Sequence, residues 1–214
     1  DQLNKLFPKV KFLKKNKIKT QGSLLHIFNL KINNNFKIID YDYKSSGNIS
    51  QAQIILKNNF KNQFFEKQIK KILFKKITLE AVLNNQNNNL FLYDGYYTLN
   101  DLNYKKFKVE HNLNKKNKNY LIDLNLNENI FFDIINFKTE PKKTSNVKIK
   151  YNIKKKKFKF KSIDFTEGKN IISIKDLVLN NKNEIEKLSN IRVLTFYKNK
   201  ENNNFIINFG KKIS

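Results

Sequence analysis

Two histidines, His26 and His111, are the first candidates for metal ligation or general-base chemistry in this 214-residue chain. An imidazole holds a metal only with further ligands at set spacing. The chain has no cysteine, and neither histidine has the other nearby. Each stands in an alternating run with apolar neighbours, the setting of a half-buried strand residue. Asp40 and Asp42 form an Asp-x-Asp pair that places two carboxylates on one strand face, where they could hold Mg²⁺ or a sugar. Tyr41, Tyr43 and Lys44 surround the pair, and no phosphate loop accompanies it, so it reads as the solvent face of a strand. Gly22, Gly47, Gly95, Gly168 and Gly210 are too scattered for dinucleotide or Walker spacing, and each falls where a turn or strand end is expected. Ser23, Ser45 and Ser46 lack a histidine and an acid at any nucleophile spacing. The sequence therefore predicts no catalytic residue, no cofactor and no metal site. It points to a protein that binds, conducts or scaffolds rather than to an enzyme.

Basic and aromatic residues offer a different chemistry. The net charge is +25, and of 43 basic residues only Arg192 is arginine. Phosphate and base readers favour arginine for its bidentate fork. A chain dominated by Lys, Asn, Ile and Phe instead carries the mark of AT-rich codons. Lys154 to Lys157 followed by Phe158-Lys159-Phe160-Lys161 could reach phosphates and stack on bases. On an ordinary sheet the same alternation puts Phe in the core and Lys in water, and the RNP consensus is absent. The sequence argues against a nucleic-acid partner, although the charge would draw the protein to anionic surfaces of any kind.

The elements that must position these residues are strands. Val147, Ile149, Tyr151 and Ile153 alternate with Asn146, Lys148, Lys150 and Asn152. Tyr120, Ile122 and Leu124 do the same, as do Phe107, Val109, His111 and Leu113, and Leu24, His26, Phe28, Leu30 and Ile32. Asn-rich stretches separate the runs and supply turn geometry, among them Asn33-Asn34-Asn35, Ser45-Ser46-Gly47-Asn48 and Asn180 to Asn183. Short strands with a turn after each predict an all-β, mainly antiparallel, elongated and twisted sheet, and the apolar side of such a sheet must be covered or left as a groove. One segment departs from this rhythm. Residues 58–74 carry Phe60, Phe64, Phe65, Ile69, Ile72 and Leu73 at helical spacing, which predicts one amphipathic helix capping the sheet. A seam between sub-sheets is expected near 138–146, and the two halves read as quasi-repeats without a strict period.

The second half is similar in style to the AsmA-like family of bacterial envelope proteins. The likeness rests on a strand ending in a Gly-Asn turn followed by an I-x-I-x-x-L-x-L strand. Here these are Phe158 to Phe165, Gly168-Lys169-Asn170 and Ile172-Ser173-Ile174-Lys175-Asp176-Leu177-Val178-Leu179. Asp40 to Ile49 and Asp94 to Asn100 have the same flavour. The resemblance implies a half-tube of β-sheet with an apolar groove for phospholipid acyl chains and a role in lipid transport or outer-membrane integrity. It also implies a place on the periplasmic side of the inner membrane, held by an anchor outside this chain. The chain opens on Asp1 and has no methionine, and it reads as a fragment of a larger repetitive sheet. The expected lipid-facing residues are Tyr120, Ile122, Leu124, Val147, Ile149, Tyr151, Phe158 and Phe160. The alternatives are a basic nucleic-acid-binding β domain and an adhesive β-sandwich, in which those residues would be plain core.

Overall fold

The computed structural model describes residues 16–61, 64–65, 67–84, 89–113, 118–126, 129–140, 143–154 and 157–210. Strands dominate in chain order: β1 Lys17–Ile32, β2 Ile38–Phe60, β3 Ile69–Asn84, β4 Asn89–Leu99, β5 Lys105–Leu113 and β6 Lys118–Asn125. After a short ribbon, β7 Phe131–Phe132 and β8 Phe137–Lys138, come β9 Ser145–Lys154, β10 Lys157–Glu167 and β11 Asn170–Leu179. The last are β12 Ile185–Lys187, β13 Asn190–Tyr197 and β14 Lys200–Asn208. Eleven strands form one antiparallel meander in the order β1-β2-β3-β4-β5-β6-β9-β10-β11-β13-β14, and β12 adds to β11. The sheet does not close on itself, because β1 and β14 are not paired. β6 pairs directly with β9, so the sheet runs unbroken past the stretch where a seam was expected.

Directly opposed residues of antiparallel strands project to the same face. The register therefore sorts the whole sheet into two faces. One carries an unbroken apolar row after its first two strands: Leu79, Tyr93, Val109, Ile122, Ile149, Ile163, Ile174, Ile191 and Ile207. Leu24 and Gly47 extend that row to the β1 edge. The other face is more polar, although Leu73, Leu92, Leu121 and Ile171 lie on it. Its central row alternates in charge, Asp94, Lys108, Asp123, Lys148 and Asp164, then Ser173 and Arg192. Opposite charges set directly across from one another fix the register, because a slip of one residue would turn the oily row to water.

Four strands interrupt the alternation at a bulge. Ile72 and Phe74 face the apolar side, as do Ile77, Leu79 and Ala81 after a skipped position at Lys76, whose φ is 51°. Phe158 and Phe160 are followed in the same way by Ile163 and Phe165, and Ile172 and Ile174 by Leu177 and Leu179, with Asp176 at φ 52°. On β2 the skip falls at Ser50. An extra residue restores the phase and sharpens local twist. Gly95 lies against the β3 bulge, where an added Cβ would stand 3.0 Å from the Ile77 Cα and the Lys76 carbonyl oxygen.

Two sequence expectations need correction. The helix over 58–74 does not form: Asn58 to Phe60 end β2, Ile69 to Phe74 open β3, and Phe60 pairs with Ile69. Its apparent helical period came from two strand ends and the connector between them, of which Ile69 is buried, Phe65 half-buried and Phe60 exposed. β-branched Ile69, Ile72 and Ile77 fit the pleated sheet and its cross-strand partners instead. The turn expected at Ser45-Ser46-Gly47-Asn48 is also absent, because these residues lie inside the 23-residue β2, paired on both sides. Gly22, Gly47 and Gly95 are likewise strand-interior, each where another backbone passes too close for a side chain. The Asn33 and Asn180 turns form as expected, each side-chain oxygen accepting two backbone N–H groups.

Candidate functional site

The eight expected face residues come together. Tyr120, Ile122 and Leu124 on β6 oppose Tyr151, Ile149 and Val147 on β9. Phe160 on β10 opposes Tyr151, and Phe158 opposes Ile153. All eight lie on the apolar face and all are half-buried. They split into two environments along the strands.

Toward one end the face is covered. The connector after β2 and the excursion between β6 and β9 meet there through a bridge between Phe65 and Ile130. Phe64, Phe132, Phe137 and Phe165 pack in a chain of ring contacts 5.3–5.9 Å apart. Ile69, Tyr97 and Leu99 are buried beside it, with Leu124, Phe65 and Phe107 packed against them. The Tyr97 hydroxyl donates to the Asn125 carbonyl at 2.7 Å, and burial pushes its pKa up to about 12. Leu124 thus belongs to a filled core.

The cover is pinned by Glu167, which is 1% exposed. Its carboxylate accepts from the Glu140 backbone N–H at 2.9 Å, the Ser145 hydroxyl at 3.0 Å and the Asn170 amide at 3.1 Å. A buried carboxylate is tolerated when it is saturated with donors in this way. Asn170 accepts in turn from the Phe196 N–H, and Asn203 donates to the Ile135 carbonyl on the excursion. No sequence pattern singled out Glu167. An acid flanking the two-residue Gly168-Lys169 loop was the available signal.

Toward the other end the face carries a stack of aromatic rings. Phe91, His111, Tyr120 and Tyr151 stand directly opposite in succession on β4, β5, β6 and β9. Centroid separations are 5.6, 4.0 and 4.5 Å, with planes within 25° of parallel. Phe160 continues the row at 5.4 Å. Five strands thus present one shelf of rings with half-buried edges. His111 Nε2 is buried without a protein hydrogen-bond partner. Burial, and then Lys118, lowers the His111 pKa below the usual imidazole value. A neutral imidazole stacks as an aromatic ring in this setting. Burial also raises the pKa of Tyr120 and Tyr151.

The remaining candidates do not converge on this shelf. His26 hydrogen-bonds the Tyr43 hydroxyl at 2.8 Å near the β1 edge. Asp42 sits 3.6 Å from Lys44, and Asp40 opposes Lys31. Among the described residues no group of three or more His, Asp or Glu side chains could hold a metal ion, and no helix is long and apolar enough to cross a membrane. On β10, Phe158 and Phe160 face the apolar side, and Lys159 faces the polar side opposite Asn152. Ring stacking and phosphate contact by that strand would therefore point in opposite directions.

No family model, no curated protein and no solved structure matches the chain.

Proposed function

We propose that this chain is a non-enzymatic sheet element that carries or contacts phospholipid acyl chains along its apolar face. On this reading it works in the manner of the AsmA-like envelope proteins it resembles, on the periplasmic side of the inner membrane and held there by an anchor outside this chain. The observation that carries the reading is the apolar row running without a polar residue from Leu79 to Ile207, flanked by the ring shelf from Phe91 to Phe160. A cover spans only one end of that face, and no second large sheet packs on it among the described residues. Each methylene moved from water onto such a surface gains about 0.8 kcal/mol. An extended apolar strip suits chains of varying length better than a single compact ligand.

The test is native mass spectrometry of the purified protein together with uptake of a fluorescent phospholipid. Bound phospholipid and saturable uptake support the proposal. A ligand-free protein with no uptake sinks it.

A second reading, binding of nucleic acid, has one observation in its favour. Lys75, Lys106, Lys150, Lys159 and Lys175 share the polar face. Titration with a random single-stranded oligonucleotide across a salt series separates the two. Tight binding that collapses with salt favours this reading; weak binding with intact lipid uptake favours the first.

A further inference from the structure

β1 is an open edge of the sheet, pairing with β2 on one side only among the described residues. Natural sheets blunt such edges with lysine, proline, bulges or brevity. This edge has none of those over its middle. It is 16 residues long, and the window from Thr20 to Leu30 contains no charged residue, in a chain of net charge +25. It is also oily on both sides. Leu24, Phe28 and Leu30 project to the apolar face and Leu25 and Ile27 to the polar one, and all are exposed, Leu25 by 64% and Phe28 by 57%. At the opposite edge β14 carries Lys200 and Glu201 and is only 9 residues long.

We propose that the β1 edge pairs with the β1 edge of a second copy, joining two sheets into one across a twofold axis. Two chains of this charge repel, and the lysine-free window is where their edges approach at least cost. A twofold perpendicular to the sheet makes the pairing antiparallel and keeps each face continuous. Centred on Ile27, it sets Leu24 opposite the second copy's Leu30 and His26 opposite its Phe28. Ile27 meets its own counterpart. Lys31 then faces Ser23, so no lysine meets a lysine. Pairing over Gly22 to Ile32 runs about 37 Å at about 3.4 Å per residue. The second copy's backbone would saturate the outer N–H and C=O groups of the strand, and its side chains would cover Leu25 and Ile27.

The experiment is light scattering over a broad concentration range at two salt concentrations, with the variant Leu25→Lys/Ile27→Lys beside the parent. Both side chains are exposed, so circular dichroism should be unchanged. The parent is expected to dimerise, more tightly at high salt. The double variant should dimerise about 30-fold more weakly, since each new charge occurs twice, the one at 27 meets its own counterpart and the one at 25 lies diagonal to it. Ile185→Lys, an exposed change on β12, should leave the dimer intact. The chain has no cysteine, so Ile27→Cys should form an intermolecular disulfide under mild oxidation where Ile185→Cys does not. A parent that stays monomeric at every concentration and salt overturns the proposal. So does a dimer indifferent to Leu25→Lys/Ile27→Lys.

Discussion

Tyr120 and Tyr151 face each other across β6 and β9 with ring centroids 4.5 Å apart and planes 5° from parallel. The pair is the centre of the ring shelf, with His111 on one flank and Phe160 on the other. Removing Tyr151 opens a gap in the shelf and strips a stacking partner from both neighbours. Tyr151→Ala is expected to lower stability by about 2–4 kcal/mol, combining lost burial with lost ring contact. Tyr151→Phe should cost under about 1 kcal/mol. Urea midpoints of the two variants measure the difference. On the lipid reading, Tyr151→Ala also weakens fluorescent-phospholipid uptake and Tyr151→Phe retains it.

Glu167 ties the cover to the sheet through three hydrogen bonds to one buried carboxylate. Glu167→Ala leaves the Ser145 and Asn170 donors without it and should cost about 3–5 kcal/mol. The loss should appear first as faster amide exchange in 129–140, where the cover lies, with β1 and β2 unaffected. Uniform exchange across the sheet would show that the cover is not a separate unit.

His111 makes stability depend on pH in a direction that follows from its lowered pKa. The unfolded chain binds a proton at the ordinary imidazole value of about 6.5. The folded chain resists it until lower pH. Stability from the neutral ring is therefore fully present above the unfolded value and falls away as pH drops from there toward the folded one. Comparing wild type with His111→Phe cancels the carboxylates common to both. The variant should gain on wild type as pH is lowered from 7.5 to 5, in paired urea titrations.

Gly47 has φ 155°, and a Cβ there would come within 2.2 Å of the Ser23 carbonyl oxygen and 2.9 Å of the Leu24 Cα. Both obstacles are backbone, so neither can swing aside. Gly47→Ala should destabilise by about 2–4 kcal/mol and shift the β1–β2 pairing. Gly168→Ala meets no atom within 4 Å but adopts φ 57°, so its cost of about 1 kcal/mol comes from backbone strain alone. Thermal unfolding separates the two.

The strand content and the apolar face were legible because the period-two pattern survives wherever a strand is straight. Tyr120 to Leu124 and Val147 to Ile153 keep that pattern, and the register sets them on one face of neighbouring strands. Reading failed at strand ends, where the end of β2, a connector and the start of β3 together mimic helical spacing over 58–74. At a bulge, a skipped residue such as Lys76 inserts a step of three into a period of two. The I-x-I-x-x-L-x-L pattern from Ile172 to Leu179 is this signature on β11, and Phe158 to Phe165 repeats it on β10. The charge row from Asp94 to Asp164 could not be seen before the register was known, because its members come from separate strands. The same holds for Glu167, whose donors Glu140 and Ser145 are more than twenty residues away in the chain.

Crosslinking with a phospholipid that carries a photoactivatable group on its acyl chain, mapped by mass spectrometry, shows which face of the sheet the acyl chains touch. Saturable adducts are expected on Phe91, Tyr120, Tyr151, Phe158 and Phe160, competed away by unlabelled phospholipid. Absence of adducts, or adducts spread evenly onto the lysine-bearing face, would contradict the lipid reading.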